Sequence, residues 1–267
     1  MPALSRTHNS LINSIVAMLF YVANLLLQFL SRKVFIDYLG AELLGLNTTI
    51  VSILQFLNIA EMGVGTAVAC TLYAPLRENN IGQINEIVSL QGWLYRWIAI
   101  IIAIGGVVLM CFFPSIFDEN SAFPTSYIYL TFIVLLFGSL IGYVANYKQV
   151  LLSANQQEYK VQLSYKLVML LKTIAQIVVV KYCENGYIWW LVMEVIFAVV
   201  AAVALNYAVN ATFPSLQTDL SRGRELQRKH PGVTTMVSQL FFHKISTFAL
   251  LQLSPIVIYT YSTLTEV

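Results

Sequence analysis

The chain has 267 residues, of which 58% are hydrophobic and only 10% charged, with a formal net charge of +2 and a mean hydropathy of +0.72. Soluble domains carry about 25% charged residues, so this composition excludes an ordinary water-soluble globule and points to an all-α, polytopic membrane helix bundle. The small net charge says nothing about partners; the placement of the basic residues says more.

Apolar runs at about 11–30, 46–74, 93–113, 127–152, 161–181 and 187–209 each reach spanning length, since a hydrocarbon core of about 30 Å needs about 20 helical residues. A seventh opens near Val233 and is still apolar at Tyr261. The expected organisation is six transmembrane helices over residues 1–213, a basic linker over 214–232, and a further helix over 233–267. A polar decapeptide bearing Arg6 precedes the first run, which has no A-x-A cleavage site and is expected to stay as the first span.

The run at 46–74 organises the rest. Near its middle sits Glu61, and an ionisable group at that depth must face protein, water or a partner rather than lipid. Ala60, Gly63 and Ala67 fall at i, i+3 and i+7, so a continuous helix would present one thin face to a neighbouring backbone. The segment at 77–91 places Ile81, Ile84, Ile87 and Val88 at helical spacing among polar residues, which predicts a helix lying flat on the cytoplasmic membrane face.

The connectors set the orientation. With the N-terminus in the cytoplasm, the inner segments hold Arg6, Arg77, Lys160, Arg222, Arg224, Arg228 and Lys229, against Arg32, Lys33 and Lys181 outside. The positive-inside rule favours that arrangement. The linker between Pro214 and Pro231 is the longest polar stretch and suits a surface facing anionic lipid.

Ionisable residues inside the runs are Glu61, Lys166, Lys172, Glu194 and Lys244, with Arg96 near an end. Arg96 and Lys166 are close enough to the interface to snorkel. Lys172 lies near the centre of its run, with Gln176 one turn further on the same face. Glu61 and Lys172 are at comparable depth with opposite sign. Two accounts stay open: structural ion pairs among Glu61, Lys172, Glu194 and Lys244, or a polar cavity in which these groups meet a charged cargo or couple protons. Arg32 and Lys33 are either neutralised by Asp37 and Glu42 or line an outer cavity mouth that attracts phosphate. Gly138 and Gly142 form a GxxxG pattern that reads first as helix packing; Asn146 and Gln149 extend that face toward a polar interior. His243 is either a packing histidine or a proton relay. Cys70, Cys111 and Cys183 are far apart in or beside apolar runs and read as small buried hydrophobes.

No P-loop, Rossmann glycine fingerprint, zinc motif or G-x-S-x-G occurs. The expectation is therefore a protein that is not an enzyme, with no cofactor, no metal and no nucleic-acid partner.

Residues 29–76 read FLSRKVFIDYLGAELLGLNTTIVSILQFLNIAEMGVGTAVACTLYAPL. Ser31 with Arg32, the turn at Leu39, Gly40 and Gly45, the run AEMGVG from Ala60 to Gly65, and YAPL from Tyr73 to Leu76 together resemble the opening of bacterial polysaccharide flippases. These are the Wzx-type exporters of the multidrug/oligosaccharidyl-lipid/polysaccharide (MOP) superfamily. Tyr147 with Lys148, the stretch from Gln156 to Tyr159, and the surroundings of His243, Lys244 and residues 259–264 resemble later parts of that family. The resemblance implies an inner-membrane protein of a surface polysaccharide or O-antigen pathway. It would move an undecaprenyl-pyrophosphate-linked oligosaccharide between leaflets by alternating access, beside other polysaccharide-assembly proteins. Arg32, Lys33 and Lys172 would meet the pyrophosphate, and Glu61 would pair with these cations or couple protons. The family is built as two bundles, so this chain is expected to be one lobe plus the first helix of a truncated second. Alternatives are a drug/cation antiporter of the same superfamily, a membrane glycan polymerase or ligase, and a non-functional remnant.

Overall fold

A computed structural model describes residues 6–61, 63–117 and 124–261, with side chains described over 8–59, 61, 63–117 and 124–247. The side chain of Ala60, and residues 262–264 of the family resemblance, lie outside that set. The helices are α1 (Arg6–Leu39), α2 (Ala41–Leu57), α3 (Val64–Arg77), α4 (Ile81–Ile116), α5 (Thr125–Asn146), α6 (Gln149–Ala154), α7 (Glu158–Val161), α8 (Leu167–Tyr182), α9 (Gly186–Thr212), α10 (Gly223–Lys229) and α11 (Pro231–Tyr261). Among the described residues there is no strand. Helix is the economical answer for such a chain, because it satisfies every backbone N–H and C=O locally where lipid offers no partner.

Among the described residues, five helices are long and apolar enough to cross a membrane: His8–Leu39, Ile81–Ile116, Thr125–Asn146, Glu158–Tyr182 and Gly186–Thr212. The Glu158–Tyr182 helix joins α7 to α8 through a π-helical turn at Gln162–Lys166. The sequence expectation of six spans is not met at its second member. Where the run at 46–74 reads as one helix, α2 stops at Leu57, a 3-10 turn follows at Asn58–Glu61, and α3 starts at Val64. Gly63 supplies the reason. Its φ of 102° lies in the left-handed region, and a Cβ there would come within 2.9 Å of both the Leu240 Cβ and the Phe241 backbone nitrogen. Only glycine accepts that backbone and lets α11 approach so closely. The presumed thin face of Ala60, Gly63 and Ala67 is therefore not a helix face at all.

A second correction concerns 77–91. This segment is not a separate surface helix; α4 runs unbroken for 36 residues, about 54 Å at 1.5 Å per residue. Asn80 caps it by accepting from the Gln83 N–H at 3.1 Å. Ile84, Ile87 and Val88, which look lipid-directed in the sequence, are buried in the core. Protein covers this end of α4. The Gln217 N–H donates to Asn85 Oδ1 at 3.1 Å, and the Asp219 N–H to Ser89 Oγ at 2.9 Å. Lys229 Nζ and His230 Nε2 reach the two oxygens of Glu86 at 2.5 and 2.8 Å. The polar linker is thus strapped along α4.

The core joins Phe35 and Ile50 to Leu72, Leu90, Ile102, Phe132 and Leu191. α8 and α9 form a hairpin, with α1 packed on α8 and α5 on α9. The most apolar stretch of α1 has no buried residue; it displays Leu19, Leu26 and Phe29 outward, as a lipid-facing helix does.

Candidate functional site

The break between α2 and α3 opens onto a cavity of about 720 Å³. Its walls come from that break and from α3, α4, α5, α6, α8 and α9. Among the described residues, the charged side chains on the wall are Glu61, Lys172 and Glu194. Unwinding the chain at Asn58–Glu61 carries the Glu61 carboxylate to the cavity edge, where the Tyr95 hydroxyl donates to Oε1 at 3.0 Å. The Tyr95 and Tyr143 rings lie 5.8 Å apart beside it.

Lys172 and Glu194 are held differently. Lys172 Nζ donates to both carboxylate oxygens of Glu194, at 3.0 and 2.8 Å. The Gln176 amide adds a donor to Glu194 Oε1 at 3.1 Å and a second to the Trp190 carbonyl at 3.3 Å. Each member of the ion pair keeps only 18% side-chain exposure, so the pair is largely desolvated and its charges cancel. Of the two accounts left open by the sequence, the ion pair holds for Lys172 with Glu194, whereas Glu61 has no cationic partner among the described residues. The cavity wall is left with one uncompensated negative charge.

Amides complete the lining. Gln91 and Asn146 are 1% and 6% exposed; they and Asn58 line the cavity, and their side-chain oxygens, themselves buried, find no hydrogen-bond donor among the described residues. An orphaned buried acceptor costs about 1–3 kcal/mol, so the three amides have an energetic reason to turn toward the cavity and accept from a water or a polar ligand. Gly138 and Gly142 lie on the same wall, with nothing within 4 Å of a Cβ placed on either. The GxxxG pattern therefore widens the cavity and seats no other helix among the described residues.

A second cavity, about 470 Å³, is lined by Arg32, Asn47, Lys172 and Gln176 among others. Lys172 borders both cavities, so its ion pair stands where they adjoin. Arg32 and Lys33 form no ion pair with Asp37 or Glu42. Arg32 borders the second cavity; Lys33 is exposed and lines neither. Lys244 and His243 are exposed on α11. Lys244 Nζ reaches Thr66 on the first cavity's wall at 3.3 Å, whereas the nearest partner of the His243 ring is Thr247 on its own helix, at 3.5 Å.

Of the residues the sequence singles out, the structure brings Glu61, Asn146, Gln149, Lys172 and Glu194 to one cavity, and Arg32, Lys172 and Gln176 to the other. Lys33 and His243 join neither. Sequence reading passes over Gln91, Tyr95, Asn58 and Tyr143. Gln91 and Tyr95 stand one turn apart on an apolar helix, a polar i, i+4 pair that could have marked the face. The three cysteines are free, and Cys70 and Cys111 are exposed, not buried as their apolar surroundings suggest. Among the described residues no three His, Cys, Asp or Glu side chains gather as a metal site. No protein-family model, no curated protein and no solved structure matches the chain.

Proposed function

We propose that this chain forms a lobe of a bacterial inner-membrane exporter, N-terminus cytoplasmic, that carries an undecaprenyl-pyrophosphate-linked oligosaccharide from the inner to the outer leaflet by alternating access. The observation that carries the reading is the polar cavity among apolar helices, lined by Asn58, Gln91 and Asn146, whose buried amide oxygens have no donor among the described residues. Amides and hydroxyls are the groups that match sugar hydroxyls. The adjoining cavity offers Arg32, a cation without an acidic partner among the described residues, to the pyrophosphate. Lys172 is a poorer phosphate ligand than its depth suggests, because Glu194 already neutralises it. Discontinuous helices at a midplane site are a recurring feature of transporters that rock between two access states.

The test uses a deletion strain complemented with variants. Asn146→Leu and Arg32→Ala should each abolish surface polysaccharide at normal protein levels, with lipid-linked oligosaccharide accumulating on the inner leaflet. Retained polysaccharide in both would refute the reading. A drug/cation antiporter is the second reading, favoured by one observation: Glu61 is the unmatched charge on the main cavity wall. It requires that Glu61→Gln raise retention of a cationic drug while polysaccharide export continues. Polymerised glycan made by the purified protein would instead reveal an enzyme.

A further inference from the structure

At the end of the bundle where the linker straps α4, a groove of about 410 Å³ runs between α4 and α10, lined by Trp93, Leu94, Trp97, Arg224, Gln227 and Arg228. The cations of α10, and Arg222 just before it, are not alike. Arg222 is engaged by Glu225 through two hydrogen bonds at 3.0 and 2.7 Å, and its guanidinium holds the Glu225 carboxyl below the usual carboxylate range. Lys229 is taken by Glu86. Arg224 and Arg228, one turn apart and both exposed, make no ion pair or hydrogen bond among the described residues. These two are the ones that border the groove, and no carboxylate lines it.

The depth of the groove follows from α4. From Trp97 to Ile116 that helix is apolar for 20 residues (116 − 97 + 1), about 30 Å and so one hydrocarbon thickness. Trp93 and Trp97 therefore fall at the boundary between hydrocarbon and headgroups, where indoles collect. Their rings pack edge to face, 6.2 Å apart. α10 is pinned at this depth by Gly223, where a Cβ would lie 2.0 Å from the Trp93 ring. The linker backbone rests directly on the indole, which holds the two arginines above an apolar floor.

We infer that this groove is a docking site for an anionic phospholipid, whose headgroup phosphate meets Arg224 and Arg228 while the root of an acyl chain lies against Leu94 and Trp97. The occupant follows from charge and depth together. Two uncompensated guanidiniums call for an anion, and the tryptophan floor lies where a lipid's phosphate and chain meet. Because the linker leads directly into α11, a lipid held here fixes the strap that joins α11 to the rest of the bundle. The inference is independent of the cargo.

The test uses the full chain purified in neutral detergent and titrated with dioleoylphosphatidylglycerol, dioleoylphosphatidylcholine or inorganic phosphate, binding being read by native mass spectrometry and by thermal stabilisation. Phosphatidylglycerol should bind and stabilise in preference to phosphatidylcholine. At about 1 kcal/mol per basic residue near a lipid surface, the Arg224→Gln, Arg228→Gln double variant should lose roughly thirtyfold in phosphatidylglycerol affinity. Arg222→Gln, which removes a cation already paired, should change it by less than about threefold. Equal binding of the two lipids, or an equal loss in Arg222→Gln, would overturn the inference. Stabilisation by inorganic phosphate equal to that by the lipid would overturn it too, assigning the groove to a soluble phosphate compound.

Discussion

Two carboxylates border the same cavity and live in different worlds. Glu194 sits mid-helix in α9, its charge matched by Lys172 and its geometry locked by Gln176. Glu61 sits where the helix is interrupted, facing the phenols of Tyr95 and Tyr143 and, among the described residues, no cation. A charge taken out of water with its counterion already in place has little left to offer a ligand, and its loss is felt as instability. A charge that meets only neutral donors and an open cavity is available for binding or ion coupling. Burial alone does not separate the two; the neighbours do.

Variants can break that contrast in order of expected size. Glu194→Ala strands the Lys172 ammonium and should destabilise by about 3 kcal/mol, at the low end for a buried pair because some exposure remains. Thermal unfolding in detergent measures it, and replacing both residues with methionine should restore most of the loss. Gly63→Ala should cost about 2 kcal/mol from the positive φ alone, with further loss from contact with the α11 backbone. Because the break presents Glu61, transport should fall along with stability. Tyr95→Phe removes the Tyr95 hydrogen bond to Glu61 and should cost about 1 kcal/mol. Glu61→Gln should move stability by less than about 1 kcal/mol, since the amide oxygen still accepts from Tyr95, yet it should stop coupled transport. If Glu61→Gln destabilises as much as Glu194→Ala does, the contrast fails. Smallest of all, Asn146→Leu should leave stability unchanged or slightly raised, because it deletes an orphaned acceptor.

Part of this site can be read before any fold is known. Lys172 lies ten residues before the end of α8 (182 − 172), and Glu194 eight after the start of α9 (194 − 186). In a tight hairpin both stand about 12–15 Å from the turn, so their pairing follows from the connector's position. Arg32 is different: that it stays unpaired, while Asp37 and Glu42 lie within ten residues of it, depends on which way α1 is rotated against α2. Gly138 and Gly142 mislead, since the same spacing serves a close helix contact or the widening of a cavity. The 77–91 segment misleads for a related reason. An amphipathic face asks only for an apolar cover, and the linker and its neighbours supply what lipid was expected to supply.

The amino-acid sequence by itself determined that the described chain is helical and that most of its apolar runs are long enough to cross a bilayer. Both properties are local: hydropathy accumulates along the chain, and a helix closes its hydrogen bonds within four residues. Tertiary structure alone decided that the second run breaks at Gly63, which acids find a cation, and which amide oxygens are buried without a donor. Those outcomes depend on how each helix is rotated and how deeply it sits against neighbours far away in sequence. A rotation of half a turn would exchange the interior face for the lipid face while leaving every local preference unchanged.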